Sequence, residues 1–173
     1  MNFKTYCNIK SDISTIEKII ASNIFYPENK RSPFVKAAFI ELLICLRDLM
    51  HKTEKNVSRI DFTDDIKITA KIKDISDLIK FSRDALCHPD SDNYNASKEF
   101  DIYAFCIIYG KGNFITLGSS DALIKSKYED DTCFSIGEQN IYLKHHIIRA
   151  LNEAKDKLNS LIQNMPMPKF PIL

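Results

Sequence analysis

The sequence predicts a mainly helical α+β domain with a small antiparallel β-sheet or hairpin inserted before its last helix. Three observations predict this class. Apolar residues recur at helical spacing through the first half of the chain, aromatic and β-branched residues dominate about 101–136, and helical spacing then returns. At 173 residues, the chain predicts one domain, residues 1–173, that buries its own hydrophobic core.

The composition argues against several function classes. The 24 basic and 23 acidic residues leave a net charge of +1, which gives no electrostatic reason for strong nonspecific binding to nucleic acid or a membrane. The five cysteines are widely spaced and lack a Cys-x-x-Cys pair, which argues against a disulfide framework and a zinc knuckle. We expect no metal, no cofactor and no membrane partner. The sequence shows no signal peptide and no membrane-spanning segment, so the expected location is cytoplasmic.

The first helix is predicted over about Ile13 to Ser22. Ser14 followed by Glu17 resembles a capping box, and the isoleucines at positions 13, 16, 19 and 20 form one apolar stripe. The next stretch, Phe25 to Arg31, has the composition of a loop.

A second helix is predicted from Pro33 to Met50, with Ser32 as its N-cap. Its residues are apolar almost all round, which predicts a central core helix, or one that also packs against a second subunit. Glu41 interrupts the apolar run. It lies on a narrow exposed strip or pairs with a lysine, or else it supports an active site.

The third helix is predicted to begin after Asp74, its N-cap, and to end near Cys87 or His88, because Pro89 disfavours helical geometry in the residue before it. Arg83 falls on a different side from the apolar face of this helix, which consists of Ile75, Leu78, Ile79, Ser82 and Leu86. Before this helix, residues 52–65 predict a loop, and residues 66–72 suit either a short strand or a helix.

Strand-type composition follows. Ile102 to Tyr109 predicts a strand, Gly110 to Asn113 a hairpin loop, and Phe114 to Leu117 the strand that pairs back. Thr132 to Ile136 suits a third strand, since three strands are steadier than an isolated hairpin. The loop after the third helix, residues 90–93, has turn composition.

The last helix is predicted from about Tyr142 to Ile162. A Pro-rich tail, residues 165–173, cannot continue it. The inner face of this helix is predicted to contain Leu143, Ile147, Ala150, Leu151, Ala154, Leu158 and Leu161.

The end of the third helix carries the candidate chemistry. Arg83, Asp84 and His88 fall within one short stretch. Phosphodiester cleavage needs a general base and a cation for the phosphoryl oxygens, and histidine and arginine supply these groups. Asp84 would hold the arginine or orient the histidine. The same pattern also has a structural explanation, in which Arg83 pairs with Asp84 or Asp77 and His88 caps the helix.

The stretch Arg83-Asp84-Ala85-Leu86-Cys87-His88, together with the helices before it and the long helix after it, resembles the HEPN superfamily. The resemblance implies a helical bundle and a metal-independent endoribonuclease, used as a toxin or in phage defence, whose arginine and histidine act at a dimer interface. It further implies attack by the RNA 2′-hydroxyl and a cyclic phosphate product. The β-rich insertion, about 101–136, lies outside the minimal bundle of that superfamily.

One histidine cannot serve as both the base and the acid of such a reaction. A two-fold dimer with two copies of the stretch across one cleft would supply the second histidine. The implied partners are therefore an RNA substrate and a second copy of the chain, and a protein antitoxin or regulator is a further candidate. One toxin subgroup has a tyrosine two residues after its histidine. Asp90 occupies that position here, so the antitoxin of that subgroup is not implied.

The near-neutral charge keeps a second hypothesis open: a noncatalytic, dimeric HEPN-like module that binds a nucleotide or a partner protein. Other features predict structure more than chemistry. In the pair His145-His146, we expect one packed and one exposed ring. Cys87 suits a small buried residue, and the acids of residues 64–65 and 129–131 suit solvated loops more than a cation site.

Overall fold

A computed structural model describes residues 1–88, 105–117 and 121–165 of the chain. Within these ranges the protein is α+β and mainly helical, as the sequence predicts. The helices are α1 (Phe3–Ala21), α2 (Val35–Asn56), α3 (Ile75–Cys87) and α4 (Arg149–Gln163). The strands are β1 (Phe105–Tyr109), β2 (Gly112–Leu117), β3 (Asp121–Ser126), β4 (Thr132–Ile136) and β5 (Gln139–Tyr142). Strands thus continue past residue 136, the predicted end of the β-rich insertion.

Helix α1 begins ten residues before the predicted start, so the proposed capping box at Ser14 is wrong. The side chain of Asn2 caps the helix by accepting a hydrogen bond from the N–H of Thr5 at 2.8 Å. The sequence signal was weak here because Ile9 is the only buried residue before Ile13. The apolar stripe itself is confirmed, with Ile13 and Ile16 buried against the core.

Helix α2 is the centre of the bundle and packs against the other three helices. It begins at Val35, two residues after the predicted start, so the prediction of Ser32 as its N-cap is wrong. Ser32 instead accepts a hydrogen bond from the N–H of Phe34 in the preceding turn. The helix also continues to Asn56, so the loop predicted from residue 52 is wrong over its first five residues. Thr53 explains the extension: it is fully buried, and its hydroxyl donates to the Leu49 carbonyl at 2.9 Å.

The boundaries of α3 match the prediction. Asp74 accepts a hydrogen bond from the N–H of Asp77 at 3.0 Å, as an N-cap should. Arg59 binds both carboxylates and anchors the preceding loop to the start of the helix. Residues 66–72 form neither a strand nor a helix, although Ile66 and Ile72 are buried.

The strand pairing differs from the predicted hairpin. β1 pairs antiparallel with β4, and β4 pairs with β5, so β4 is central in a three-stranded sheet. β2 pairs with β3 in a separate two-stranded ribbon. Every residue of β4 is buried. A strand of this kind suits the central position, between β1 and β5. Gly110, at φ +75°, turns the chain out of the first sheet and donates to the Asp131 carbonyl at 2.9 Å.

Three phenylalanines join this sheet to the helices. The Phe39 ring of α2 stacks on Phe134 of β4 with centroids 3.9 Å apart, and Phe25 meets Phe134 edge-on at 5.2 Å. All three are at most 1% exposed. Burying a ring of this size contributes about 1.5–3 kcal/mol, so this cluster fixes the sheet against α2.

The last helical segment starts as a single π-helical stretch, Leu143–Ile148, and continues as α4. Six of the seven residues predicted for its inner face are buried, and Leu161 is partly buried. The turn predicted at 90–93 and residues 166–173 of the predicted tail lie outside the described residues. In the described part of the chain, no helix combines the length and the apolar character needed to cross a membrane.

Candidate functional site

The residues predicted to be catalytic lie at the C-terminal end of α3. Arg83 and Asp84 form an ion pair, with 3.0 Å between Nη2 and Oδ1, and their side chains are 26% and 33% exposed. His88 is the C-cap residue, and its N–H donates to the Asp84 carbonyl at 3.1 Å. The His88 side chain is exposed. The Arg83–Asp84 ion pair and the capping position of His88 are thus both present, as the structural explanation predicts. All three side chains are nevertheless accessible to solvent.

A shallow groove of about 330 Å³ adjoins this end of α3. Arg83 and Cys87 line its α3 side, and Arg47 and Ile44 line its α2 side. Arg47 has no ion pair or hydrogen bond within the described residues. Two guanidinium groups thus border one groove, which is the type of surface that suits phosphate oxygens. Cys87 is exposed, so the prediction that it is buried is wrong.

The two carboxylates that line this groove, Asp12 and Asp48, bind the same lysine. Lys52 binds Asp12 at 2.7 Å and also binds Asp48. Burial raises the pKa of Asp12 above its usual range, although the hydrogen bond from Lys52 opposes the shift. Burial also raises the pKa of Cys45 to about 12, so this thiol stays protonated at neutral pH. The groove therefore presents two arginines beside carboxylates that Lys52 holds.

Helix α2 presents an exposed strip beside the same groove. Phe34 is 68% exposed and Ile44 is 41% exposed, while Glu41 between them is also exposed. Glu41 accepts a weak hydrogen bond from the Cys45 thiol, with 3.6 Å between the two atoms, and forms no ion pair within the described residues. The prediction that Glu41 lies on an exposed strip is confirmed.

A second constellation, which sequence reasoning missed, surrounds His145. The Asp131 carboxylate is fully buried and lies 2.7 Å from His145 Nδ1. Because an ionised carboxylate only accepts hydrogen bonds, the Nδ1 atom carries the proton. The other ring nitrogen, Nε2, has no hydrogen-bond partner within the described residues. The ring is thus fixed at one nitrogen and open to a ligand at the other.

Asp131 also organises the start of the last helical segment. Its carboxylate accepts hydrogen bonds from the backbone N–H groups of Thr132, Lys144 and His145 at 2.7, 2.9 and 3.1 Å. The prediction that residue 131 is a solvated loop acid is wrong for this reason. Asp131 lies 13 residues before Lys144 and 14 residues before His145, whose N–H groups donate to it. No local sequence motif could therefore reveal this cap.

Tyr128 completes this constellation. Its ring stacks on the His145 ring with centroids 3.6 Å apart and an interplanar angle of 8°. Its hydroxyl donates to Asp65, and Lys127 binds the same carboxylate at 2.6 Å. Burial alone would raise the pKa of Asp65, but these two hydrogen bonds lower it below its usual range.

His146 is a buried structural histidine, so the prediction of one packed ring is confirmed. The N–H of Tyr142 donates to its Nδ1 at 3.3 Å, and its Nε2 lies 2.9 Å from the Asp64 carbonyl. Nδ1 therefore accepts and Nε2 donates, which makes the ring neutral. Burial lowers the pKa of His146, and the bond to Asp64 opposes this shift only in part.

Within the described ranges, no group of three or more histidine, cysteine, aspartate or glutamate side chains could hold a metal ion. Comparison with known proteins gives no match to a family model, to a curated protein or to a solved structure.

Proposed function

We propose that this protein is a metal-independent endoribonuclease of the HEPN type that acts as a homodimer, as a toxin or a phage-defence effector. The observation that carries the proposal is the accessibility of Arg83, Asp84 and His88 at one end of α3. If these residues only ended the helix, other parts of the chain could cover their side chains. Instead, His88 is exposed, and Arg83 borders an open groove.

In the proposed reaction, His88 of one subunit removes the proton from an RNA 2′-hydroxyl. The 2′-oxygen then bonds to the adjacent phosphorus, and the bond from phosphorus to the 5′-oxygen breaks. The leaving 5′-oxygen takes a proton from the second copy of His88. The products are a 2′,3′-cyclic phosphate and a 5′-hydroxyl, and Arg83 stabilises the charge that builds on the phosphoryl oxygens.

Two features of the surface support the shared site. Ile44 on α2 and Phe34, the residue directly before α2, expose apolar side chains, and Ile44 borders the same groove as Arg83. Contact between two copies through this strip would bury apolar surface and bring the two α3 ends towards one cleft. Arg47, which borders the groove without an ion partner among the described residues, would add a second cation at the phosphate.

The test is RNA cleavage in the presence of EDTA, with the chemistry of the new RNA ends determined. We expect wild-type protein to produce cyclic phosphate ends, and we expect His88→Ala and Arg83→Ala to lose at least about a hundredfold in rate, the scale of one acid–base group. His51→Ala is the matched control, because His51 is an exposed histidine elsewhere on α2. Folded His88→Ala protein that cleaves at the wild-type rate would refute the proposal.

A second candidate function follows from the charge balance of the same surface. Arg83 is already paired with Asp84, and the acids of the groove balance its arginines. A noncatalytic, dimeric HEPN-like module that binds a nucleotide or a partner protein would have such a surface. Binding of a nucleotide without any RNA cleavage by the wild-type protein would favour this function.

A further inference from the structure

A two-part cleft lies beside the β-rich part of the chain, and none of its lining residues lines the groove at Arg83. One part, of about 640 Å³, contains Tyr128 and His145. The other part, of about 510 Å³, lies between the end of β3 and the Tyr142 side chain. Asp65 and Lys127 line both parts, so the two parts form one continuous surface.

Positive charge is in excess in the smaller part. Three lysines line it, Lys111, Lys125 and Lys127, against the single carboxylate of Asp65. Lys127 already neutralises this carboxylate at 2.6 Å. Lys111 and Lys125 are exposed and form no ion pair within the described residues. Two cations are therefore available to an anionic ligand.

An ordered aromatic pair lies next to these lysines. The Tyr128 and His145 rings are parallel at 3.6 Å, and the His145 side chain remains 40% exposed. The fully buried Asp131 carboxylate holds the His145 ring through a hydrogen bond at Nδ1, and the Asp65 carboxylate holds the Tyr128 hydroxyl. The orientation of this pair is thus set before any ligand arrives, which reduces the entropy lost on binding.

Lysines that flank a stacking ring are the combination that binds single-stranded nucleic acid. The cations contact successive phosphates, and the ring accepts the flat face of a base. We propose that this cleft binds a single-stranded segment of RNA, with phosphates at Lys111 and Lys125 and one base against the Tyr128–His145 pair. The inference rests on the proposed function in taking RNA as the ligand. It assigns substrate binding to the β-rich insertion together with the start of the last helical segment.

The lysines are tested by the salt dependence of binding. A fluorescein-labelled single-stranded RNA with 2′-O-methyl groups cannot be cleaved by 2′-hydroxyl attack, so its anisotropy reports binding alone. We expect Lys111→Ala/Lys125→Ala to weaken binding and to reduce the slope of log K against log salt by roughly 1.4, at about 0.7 for each phosphate contact. Lys10→Ala/Lys18→Ala on α1 removes the same charge from exposed positions and should keep the wild-type slope. Equal slopes for the two double variants would overturn the inference.

The ring is tested by two substitutions of Tyr128. Tyr128→Phe keeps the stack and loses only the hydroxyl, whereas Tyr128→Leu loses the stack. We expect the leucine variant to bind the RNA about tenfold more weakly than the phenylalanine variant, the scale of one base stacked on an aromatic ring. Equal affinities of the two variants would overturn the stacking contact.

Failure of this inference can be distinguished from failure of the proposed function. If the wild-type protein binds the uncleavable RNA through Lys111 and Lys125 but does not cleave ordinary RNA, the nuclease proposal fails and the cleft is supported. If the protein cleaves RNA but its binding does not depend on these lysines, the cleft inference alone is overturned. No binding to single-stranded RNA would also overturn it.

Discussion

The Asp84 carboxylate lies 3.0 Å from the Arg83 guanidinium, although the two residues are neighbours in the sequence. Both side chains are partly exposed, and an ion pair of this kind contributes about 0–1 kcal/mol to stability. Its larger effect is to restrict the orientation of the guanidinium. Asp84 therefore acts as a positioning residue for Arg83 in the proposed site.

Asp84→Asn should slow RNA cleavage while leaving stability nearly unchanged. The uncharged amide holds the guanidinium more weakly, so we expect a rate loss of about tenfold, smaller than the loss from His88→Ala, which removes the acid–base group itself. Asp84→Glu should recover part of the rate. The measurement is the single-turnover rate, with Asp156→Asn, an exposed acid on α4, as the control. A wild-type rate for Asp84→Asn would remove Asp84 from the site.

Ile44→Asp should yield a monomer that does not cleave RNA. The substitution places a carboxylate in the exposed apolar strip of α2, where contact with a second copy would bury it without a partner. Light scattering after size-exclusion chromatography measures the mass. Ile68→Asp is the control, because Ile68 is 54% exposed and lies outside α2. If Ile44→Asp remains a dimer, this strip is not the interface.

Acid should destabilise the protein through His146. Its folded pKa lies below the ordinary value of 6.5, so the unfolded chain binds more protons, and the free energy of unfolding falls as the pH drops through about 6.5. The slope from one such group is at most about 1.4 kcal/mol per pH unit. His146→Gln should flatten the curve of unfolding free energy between about pH 5 and 7, whereas His51→Gln should not. Parallel curves for His146→Gln and wild type would contradict this assignment.

Phe39→Ala should destabilise the protein by about 3–5 kcal/mol, because it empties the space between α2 and β4. For a chain of this size, the melting temperature should fall by roughly 6–20 °C. Phe3→Ala, at a position that is 38% exposed, should cost less than about 1 kcal/mol. Similar losses for the two variants, measured by thermal or urea unfolding, would contradict the central place of the phenylalanine cluster.

Local signals in the sequence predicted α3 well. Asp74 caps the first turn through its own side chain, and in the sequence a proline follows the last turn directly, so both boundaries have signals close in sequence. The start of α1 was missed because its first turns bury almost nothing, and the end of α2 was missed because Thr53 is polar yet buried.

The contacts that the sequence could not predict join residues far apart. β1 pairs with β4 across more than twenty residues, and the aromatic cluster that decides this pairing involves Phe39 of α2. The Asp131–His145 pair likewise spans a strand pair. By contrast, Arg83, Asp84 and His88 are predicted together because they lie within six consecutive residues, and this site stays a prediction. Their exposure could not be read from the sequence.

A mixed dimer tests whether two copies of His88 share one site. Wild-type protein and His88→Ala protein with different tags are co-expressed, and the mixed dimer is purified through both tags. Its single-turnover cleavage of RNA is measured in EDTA beside both homodimers. If the site is shared, the mixed dimer, with one His88, should cleave at least about a hundredfold more slowly than wild type. A mixed dimer with half the wild-type rate would show independent sites and refute the shared site.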